Sequence, residues 1–290
     1  MKVGFVVLGY GNYPMYAECV DWLLKIKGIE EASIILVDNC SPDGIGERIR
    51  EKTKGIDFVT VLQNEKNEGF AKGNNLGYRY ARNTLGCNII VVMNSDVFIK
   101  DNEFLHVLQN VVTRHEDIAV IAPDVLGASN RHTNPYRITP VSIKEAKRRL
   151  VIKRFLSLII KLGIDYKSSG PKIGDSIEGT QTRVDHVVPH GACIIYCNEW
   201  TIDEDKAYYP GTFLYHEEFF LDEYMRARGY LCCYIPELVV KHIGDASLDN
   251  AIKQNKDKKL FVLKNQIDSL KQYLAFVKNP IEMWEGKIIS

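Results

Sequence analysis

Runs of apolar, mostly β-branched residues recur over positions 3–8, 33–37, 58–62, 88–93 and 118–121. Between them the apolar residues fall at helical spacing, over 16–26 and again over 70–84, where Leu76, Tyr80 and Ala81 share a side. Short β-branched runs predict strands, and spacings of three and four predict helices. The alternation predicts an α/β fold with a mostly parallel central sheet flanked by crossover helices. Ligands of such sheets sit beyond the carboxyl ends of the strands. Four ends qualify, at Gly9-Tyr10, Asp38-Asn39, 64–69 and 94–96, and all are polar or glycine-rich.

After Pro123 the alternation breaks. Positions 128–140 are rich in Asn, Thr, Pro and Arg, a basic helix is predicted over 143–162, and a Gly/Ser-rich passage runs to about Thr182. Strands are expected again at 184–188, 192–196, 231–235 and 238–241. One long helix is expected from Asn250 onward, with Leu260, Leu263, Ile267, Leu270 and Leu274 on a common face. The pattern divides the chain into a first half over 1–123, an insertion over 124–183, a second half over 184–249 and a C-terminal helical extension over 250–290.

Composition narrows the classes. A chain of 290 residues can bury a full core. Lys plus Arg equals Asp plus Glu, 37 of each, so no whole-molecule field draws the protein to nucleic acid, and any pull toward a membrane must be local. The seven cysteines are odd in number and several lie in apolar runs, which points to a reducing cytoplasm. Cys193 and Cys197 lack a second pair at zinc-finger spacing. The first apolar run is too short to span a membrane and reads as a strand.

Each candidate motif has a plain structural alternative. "LGYGNYP", with Gly9, follows the first strand as a dinucleotide motif would, but Pro14 stands where the third glycine belongs, so a glycine-rich turn explains it better than nicotinamide binding. In "VDNCSPDG", Asp38 and Asp43 flank one turn; they suit hydrogen bonds to a base or ribose, or simply a cap. "NEGFAKGNNLG" places Asn67, Gly69, Lys72 and Asn75 in a loop and the first turns of a helix. Asn and Gly there cost about 0.5–1 kcal/mol each against alanine, and close approach of a ligand is the expected cause. "VVMNSDV" ends a strand in Asn94 and Asp96, and a lone acid there is ordinarily a solvated loop residue. "FLYHEEFF" puts Glu217 and Glu218 at a helix start, where acids suit the macrodipole and aromatic walls raise carboxylate basicity. His242 closes a strand in "VVKHIGDAS".

In this order the motifs, with "HGACIIY" between them, resemble the family 2 glycosyltransferases, in particular the bacterial rhamnosyltransferase-like branch, over about positions 3–247. The resemblance implies a GT-A fold over 1–249 and transfer of a sugar, with inversion, from a nucleotide-diphosphate donor, UDP- or dTDP-linked. The implied acceptor is a glycan or lipid-linked saccharide of surface polysaccharide synthesis. Carried over by motif, Asp38 and Asp43 belong to the nucleotide-binding turn, and Asn67, Gly69 and Asn75 to the donor loop and helix; Gly9, Lys72 and Asn94 are expected to bind the donor with them. Asp96 matches the last carboxylate of a metal-binding Asp-x-Asp and His242 completes the site for Mg2+ or Mn2+. Glu218 matches the catalytic base, with Glu217 its neighbour. Two departures stand out: Asn94 replaces the first metal aspartate, and Glu218 stands where Asp is usual, so either Glu217 or Glu218 is the base. With those departures, an inactive sugar-nucleotide-binding partner in an assembly complex stays open beside the enzyme.

The basic helix leaves two readings. Val151, Ile152, Phe155, Ile159 and Leu162 lie near one side, with Arg149, Lys153, Arg154 and Lys161 largely on the other. Such a helix either docks on the domain or meets anionic lipid at the inner face of the cell membrane through 144–162. The apolar stripe of the C-terminal helix needs a cover, within the chain or in a homo-oligomer.

Overall fold

The computed structural model describes residues 1–163, 180–244 and 255–287. The strands among them are β1 (Val3–Gly9), β2 (Ser33–Asp38), β3 (Val59–Gln63), β4 (Ile89–Asn94), β5 (Val97–Phe98), β6 (Val120–Leu126), β7 (Val184–Asp185), β8 (Cys193–Tyr196) and β9 (Cys232–His242). They form one sheet in the order β3-β2-β1-β4-β8-β6-β9-β5, with β7 also paired to β9. The first four strands in that order are parallel; β8 then runs antiparallel to both β4 and β6.

Side chains alternate between two cores because successive residues of a strand face opposite sides. On β1, Val3, Phe5 and Val7 enter one core while Val6 enters the other, and on β4 Ile89, Val91 and Met93 are set against Ile90 and Val92. Burial on both faces explains the unbroken apolar runs. Helices α1 (Tyr13–Leu23), α2 (Ile45–Lys52), α3 (Gly69–Arg79) and α4 (Phe104–Arg114) cross over within the first part of the chain. The later helices are α5 (Ile143–Lys161), α6 (Asn198–Thr201), α7 (Glu217–Arg228) and α8 (Lys256–Phe276), followed by a short helix at Pro280–Trp284.

Three sequence expectations change. The sheet is parallel in its first half and mixed beyond β4, since hydrophobic periodicity reports a strand but not its direction. The two strands expected at 231–235 and 238–241 are one, β9, whose register against β6 shifts between Pro123 and Asp124 instead of breaking. β5 was not expected: two residues carry no period.

α8 is held to the domain by Tyr273, whose hydroxyl donates to Val141 O at 3.0 Å, and Ser269, whose Oγ donates to Leu214 O at 3.0 Å. Residues 250–254 of the expected C-terminal helix lie outside the described residues. Among the described residues no helix is long and apolar enough to cross a membrane.

Candidate active site

The carboxyl ends of the parallel strands carry a network of neutral side chains. Asn39, buried, donates through Nδ2 to Asn67 Oδ1 at 3.0 Å and Gly69 O at 3.1 Å. Its Oδ1 accepts from Asn64 Nδ2 at 2.8 Å and Glu68 N at 3.2 Å. Asp38 is buried beside it and accepts from Ser41 N at 3.0 Å through Oδ1, while its Oδ2 is buried without a hydrogen-bond partner. A buried acceptor left open is costly, so this oxygen is a sign of a ligand at these strand ends. Gly9 closes the floor: a Cβ there would stand 2.3 Å from the Tyr16 ring.

α3 gives a packing reason for its small and amide residues. Its glycines pack the helix onto the sheet: a Cβ on Gly77 would lie 2.4 Å from Val6 Cγ1, and one on Gly73 2.7 Å from Leu8 Cδ1. Asn75 is likewise spent on the fold. Its Oδ1 accepts from Ala207 N and Tyr208 N, both at 2.9 Å, and its Nδ2 donates to Tyr208 O at 2.7 Å. Lys72 is exposed and 3.9 Å from Glu68, and Asp43 is exposed on its turn.

β5 explains how the next pair meets. Val97 registers against His242 across the β5–β9 ladder, which sets Asp96 beside His242, with Oδ2 3.2 Å from Nε2. Asp96 Oδ1 is buried without a hydrogen-bond partner. Asn94, at the end of β4, is partly buried and donates its backbone N–H to Ala192 O at 2.9 Å. Among the described residues no group of three or more His, Cys, Asp and Glu could hold a metal. Asp96 and His242 nonetheless fit a divalent cation completed by phosphate and water: carboxylate and imidazole suit Mg2+ or Mn2+, such ions commonly keep waters and substrate phosphates, and Asp96 Oδ1 has unspent lone pairs. His190 joins this end, its ring centroid 5.6 Å from that of His242; burial, and then His242, lower its pKa to about 4.

The third component is the start of α7. Tyr215 and His216 precede it with φ of 77° and 69°, a left-handed pair that costs on the order of 1–3 kcal/mol per residue outside glycine. Neighbours hold it. The His216 ring stacks on Phe219 at 4.8 Å, and Phe213 O accepts from Phe70 N at 2.8 Å. Gly69 is required at that contact, with φ of 82° and a Cβ position 2.3 Å from Phe213 O. The loop at 64–69 and the loop before α7 are thus fastened together.

The two carboxylates differ in surroundings. Glu217 points inward, 5% exposed, and accepts from Thr212 Oγ1 at 3.3 Å. Burial, then the charge of Glu218, push its pKa up to about 8. Glu218 is partly exposed, and its Oε2 lies 3.8 Å from where a Cβ on Gly191 would stand, next to His190. Burial raises its pKa to about 7, with Arg149 opposing. Tyr136 shares this wall, edge-on to His190 at 5.8 Å and stacked on Phe219 at 6.2 Å.

Asn39 therefore gathers Asn67 and Gly69 beside Asp38, Asp96 meets His242, and Glu218 lies against Gly191, the residue that follows His190. Sequence reasoning assigned no role to Asn39, His190 or Thr212. His190 stood in a quoted motif, "HGACIIY", and the concentration of Asn at strand ends was the only hint of Asn39.

Comparison with known proteins identifies the family and the fold. A family model described as glycosyl transferase family 2 matches residues 5–166. Glycosyltransferase GlyG of Streptococcus pneumoniae serotype 4 is 29% identical over 118 residues, 41% of this chain and 38% of that protein. The structure of GalNAc-T7 with UDP, GalNAc and Mn2+ superposes with a TM-score of 0.56 at 15% identity, over 84% of this chain and 44% of that one. The match thus spans less than half the length of either relative. S. aureus TarS 1-349 in complex with UDP-GlcNAc gives 0.55 at 17% identity, over 97% of this chain and 73% of that one. These superpositions show a GT-A fold.

Proposed function

Because the chain belongs to glycosyl transferase family 2, we propose that it moves a hexosyl or rhamnosyl group, with inversion, from a nucleotide-diphosphate sugar to a saccharide hydroxyl. The observation that carries this reading is Glu218: a carboxylate of raised basicity set against Gly191, one residue from the His190 that touches the Asp96–His242 pair. Base and cation ligands then serve one cleft. The acceptor oxygen bonds to the anomeric carbon, its proton passes to Glu218, and the bond from that carbon to the diphosphate breaks. A divalent cation on Asp96 and His242 would neutralise charge on the departing diphosphate. No covalent intermediate is needed, since one base suffices for inversion.

Asp38 Oδ2 is suited to accept from an N–H of the base, and the Asn39–Asn67–Gly69 network to shape the donor pocket. Asp43 and Lys72 would engage the donor only at its rim. The structural relatives hold UDP, UDP-GlcNAc or GDP-Man, which supports a nucleotide-diphosphate sugar, and a UDP- or dTDP-linked donor is the class we assign. A cleft of about 410 Å³ lies between residues 211–213 and α8, lined by Thr212, Phe213, Phe261, Lys264 and Asp268. The acceptor, a glycan free or lipid-linked, is placed where its hydroxyl meets Glu218 beside Gly191, and the cleft next to residues 211–213 would take a more distant part of it. Bacterial surface polysaccharide is the product class we assign. Seven free cysteines support a cytoplasmic setting.

A thermal-shift panel of UDP-, dTDP- and GDP-sugars, with and without Mn2+, tests the reading. A donor at 100 times its Kd should add about 2.7 kcal/mol. Asp96→Asn should lose the Mn2+-dependent part of the rise. No rise with any nucleotide sugar would overturn the proposal. Binding without transfer across a saccharide panel would favour the second reading, a donor-binding partner, which the two-ligand cation site also fits.

A further inference from the structure

α5 wears its amphipathicity inside out. Its buried contacts come from Ala146, Leu150 and Ile160, with Arg149 turned inward to Glu145 Oε1 at 2.7 Å and over the Phe219 ring at 5.7 Å. The apolar side faces away from the domain: Val151 is 66% exposed, Ile152 48%, Phe155 61%, Leu158 54% and Leu162 69%. Val151, Phe155, Leu158 and Leu162 recur at spacings of four, three and four, so they form one continuous stripe. A patch of large apolar side chains on an otherwise polar surface marks a contact site.

The charges beside the stripe identify its occupant. Lys147, Arg154 and Lys161 recur every seven residues along its edge, and Lys144 and Arg148 continue the exposed face toward the start of the helix; all five are exposed. Glu145 is the one acid of α5, and it is bound by Arg137 at 2.7 Å and by Arg149. The outward face thus carries five cations around an apolar stripe and no anion of its own. A second copy of the chain docked on this face by two-fold symmetry would bring like charges together, which disfavours that occupant. We propose that this face of α5 lies in the interface of an anionic lipid bilayer, its stripe among the acyl chains and its cations on the phosphates. α5 touches α7 from the other side through Arg149 and Phe219, so a bilayer here adjoins the glutamate pair.

The inference does not depend on sugar transfer, because vesicle binding needs neither donor nor acceptor. Cosedimentation of the full chain with phosphatidylcholine vesicles, with and without phosphatidylglycerol, is the test. The chain should pellet with the anionic vesicles only, and less as salt rises. Phe155→Ser with Leu158→Ser, and separately Arg154→Gln with Lys161→Gln, should each weaken binding at least tenfold, since each cation near the surface is worth about fivefold. All four positions are exposed, and unchanged melting confirms that the variants fold. Absence of pelleting, pelleting indifferent to phosphatidylglycerol or to these substitutions, or a dimer of the free chain abolished by the serine pair would each overturn the proposal.

Discussion

The proposed donor end and the proposed catalytic end handle buried polar groups in opposite ways. At the donor end Asn39 spends both amide atoms on Asn67, Gly69, Asn64 and Glu68, leaving one buried oxygen, Asp38 Oδ2, open among neutral partners. At the catalytic end two adjacent carboxylates share an apolar, aromatic wall with one opposing cation, and burial raises both pKa values. The first arrangement gives position, because both amide atoms of Asn39 are held by neighbours. The second gives reactivity, because a carboxylate that is poorly compensated takes up a proton readily.

The sharpest way to break the contrast is Glu218→Gln. Losing the base should lower kcat by about 10³-fold while the donor's thermal shift is retained. Glu217→Gln should keep most of the activity, since Glu217 is turned into the fold toward Thr212. The reverse ranking would make Glu217 the base. In the wild type, kcat/KM should fall as pH drops through about 7, where Glu218 takes up its proton.

Asn75→Ala tests the donor end's rigidity. It strands the amides of Ala207 and Tyr208 in the interior and should cost about 3 kcal/mol in denaturant unfolding. A raised KM for the donor at unchanged stability would instead return Asn75 to the donor pocket. Glu145→Ala should cost somewhat less, about 2 kcal/mol, a buried-pair figure reduced for the partial exposure of Arg137 and Glu145. It should also shift the acid limb of the rate profile below that of the wild type, because Arg149, released from Glu145, is free to favour the ionised Glu218.

The sequence made these two ends unequally legible. Strand ends announce themselves, because a β-branched run stops at a polar residue, and so Asp38, Asn67, Gly69 and Asp96 were all in view. What failed was telling ligand contact from packing. Gly73, Gly77 and Asn75 suggested a ligand, and the structure gives them a second reason, holding α3 against β1 and the 207–208 backbone, which only tertiary contacts reveal. At the catalytic end, periodicity located the start of α7 but not which carboxylate faces the cleft. That depends on the left-handed turn at Tyr215 and His216, neither of which is a residue type that advertises such geometry. α5 shows the same limit: the sequence set an apolar side against a basic one, whereas Arg154 and Lys161 share the outward face with Val151, Phe155 and Leu162, and the docked side carries Ala146, Leu150 and an Arg149 bound to Glu145.

The smallest effect concerns stability and pH, and its sign separates the two ends most cleanly. Folding raises the pKa of Glu217 from its ordinary 4.5 to about 8. Its contribution to stability is therefore fully present below about pH 4.5 and is lost as pH rises through 8, because the unfolded chain releases a proton that the folded chain keeps. Glutamine cannot ionise and is spared that loss. Glu217→Gln should thus match the wild type near pH 5 and exceed it at pH 9 by on the order of 2 kcal/mol, a figure held below the full shift because Glu218 titrates alongside. Denaturant unfolding at the two pH values measures it. A difference independent of pH would mean that Glu217 is ionised throughout the range, and the wall around α7 would then hold its charges as securely as the asparagine network holds its amides.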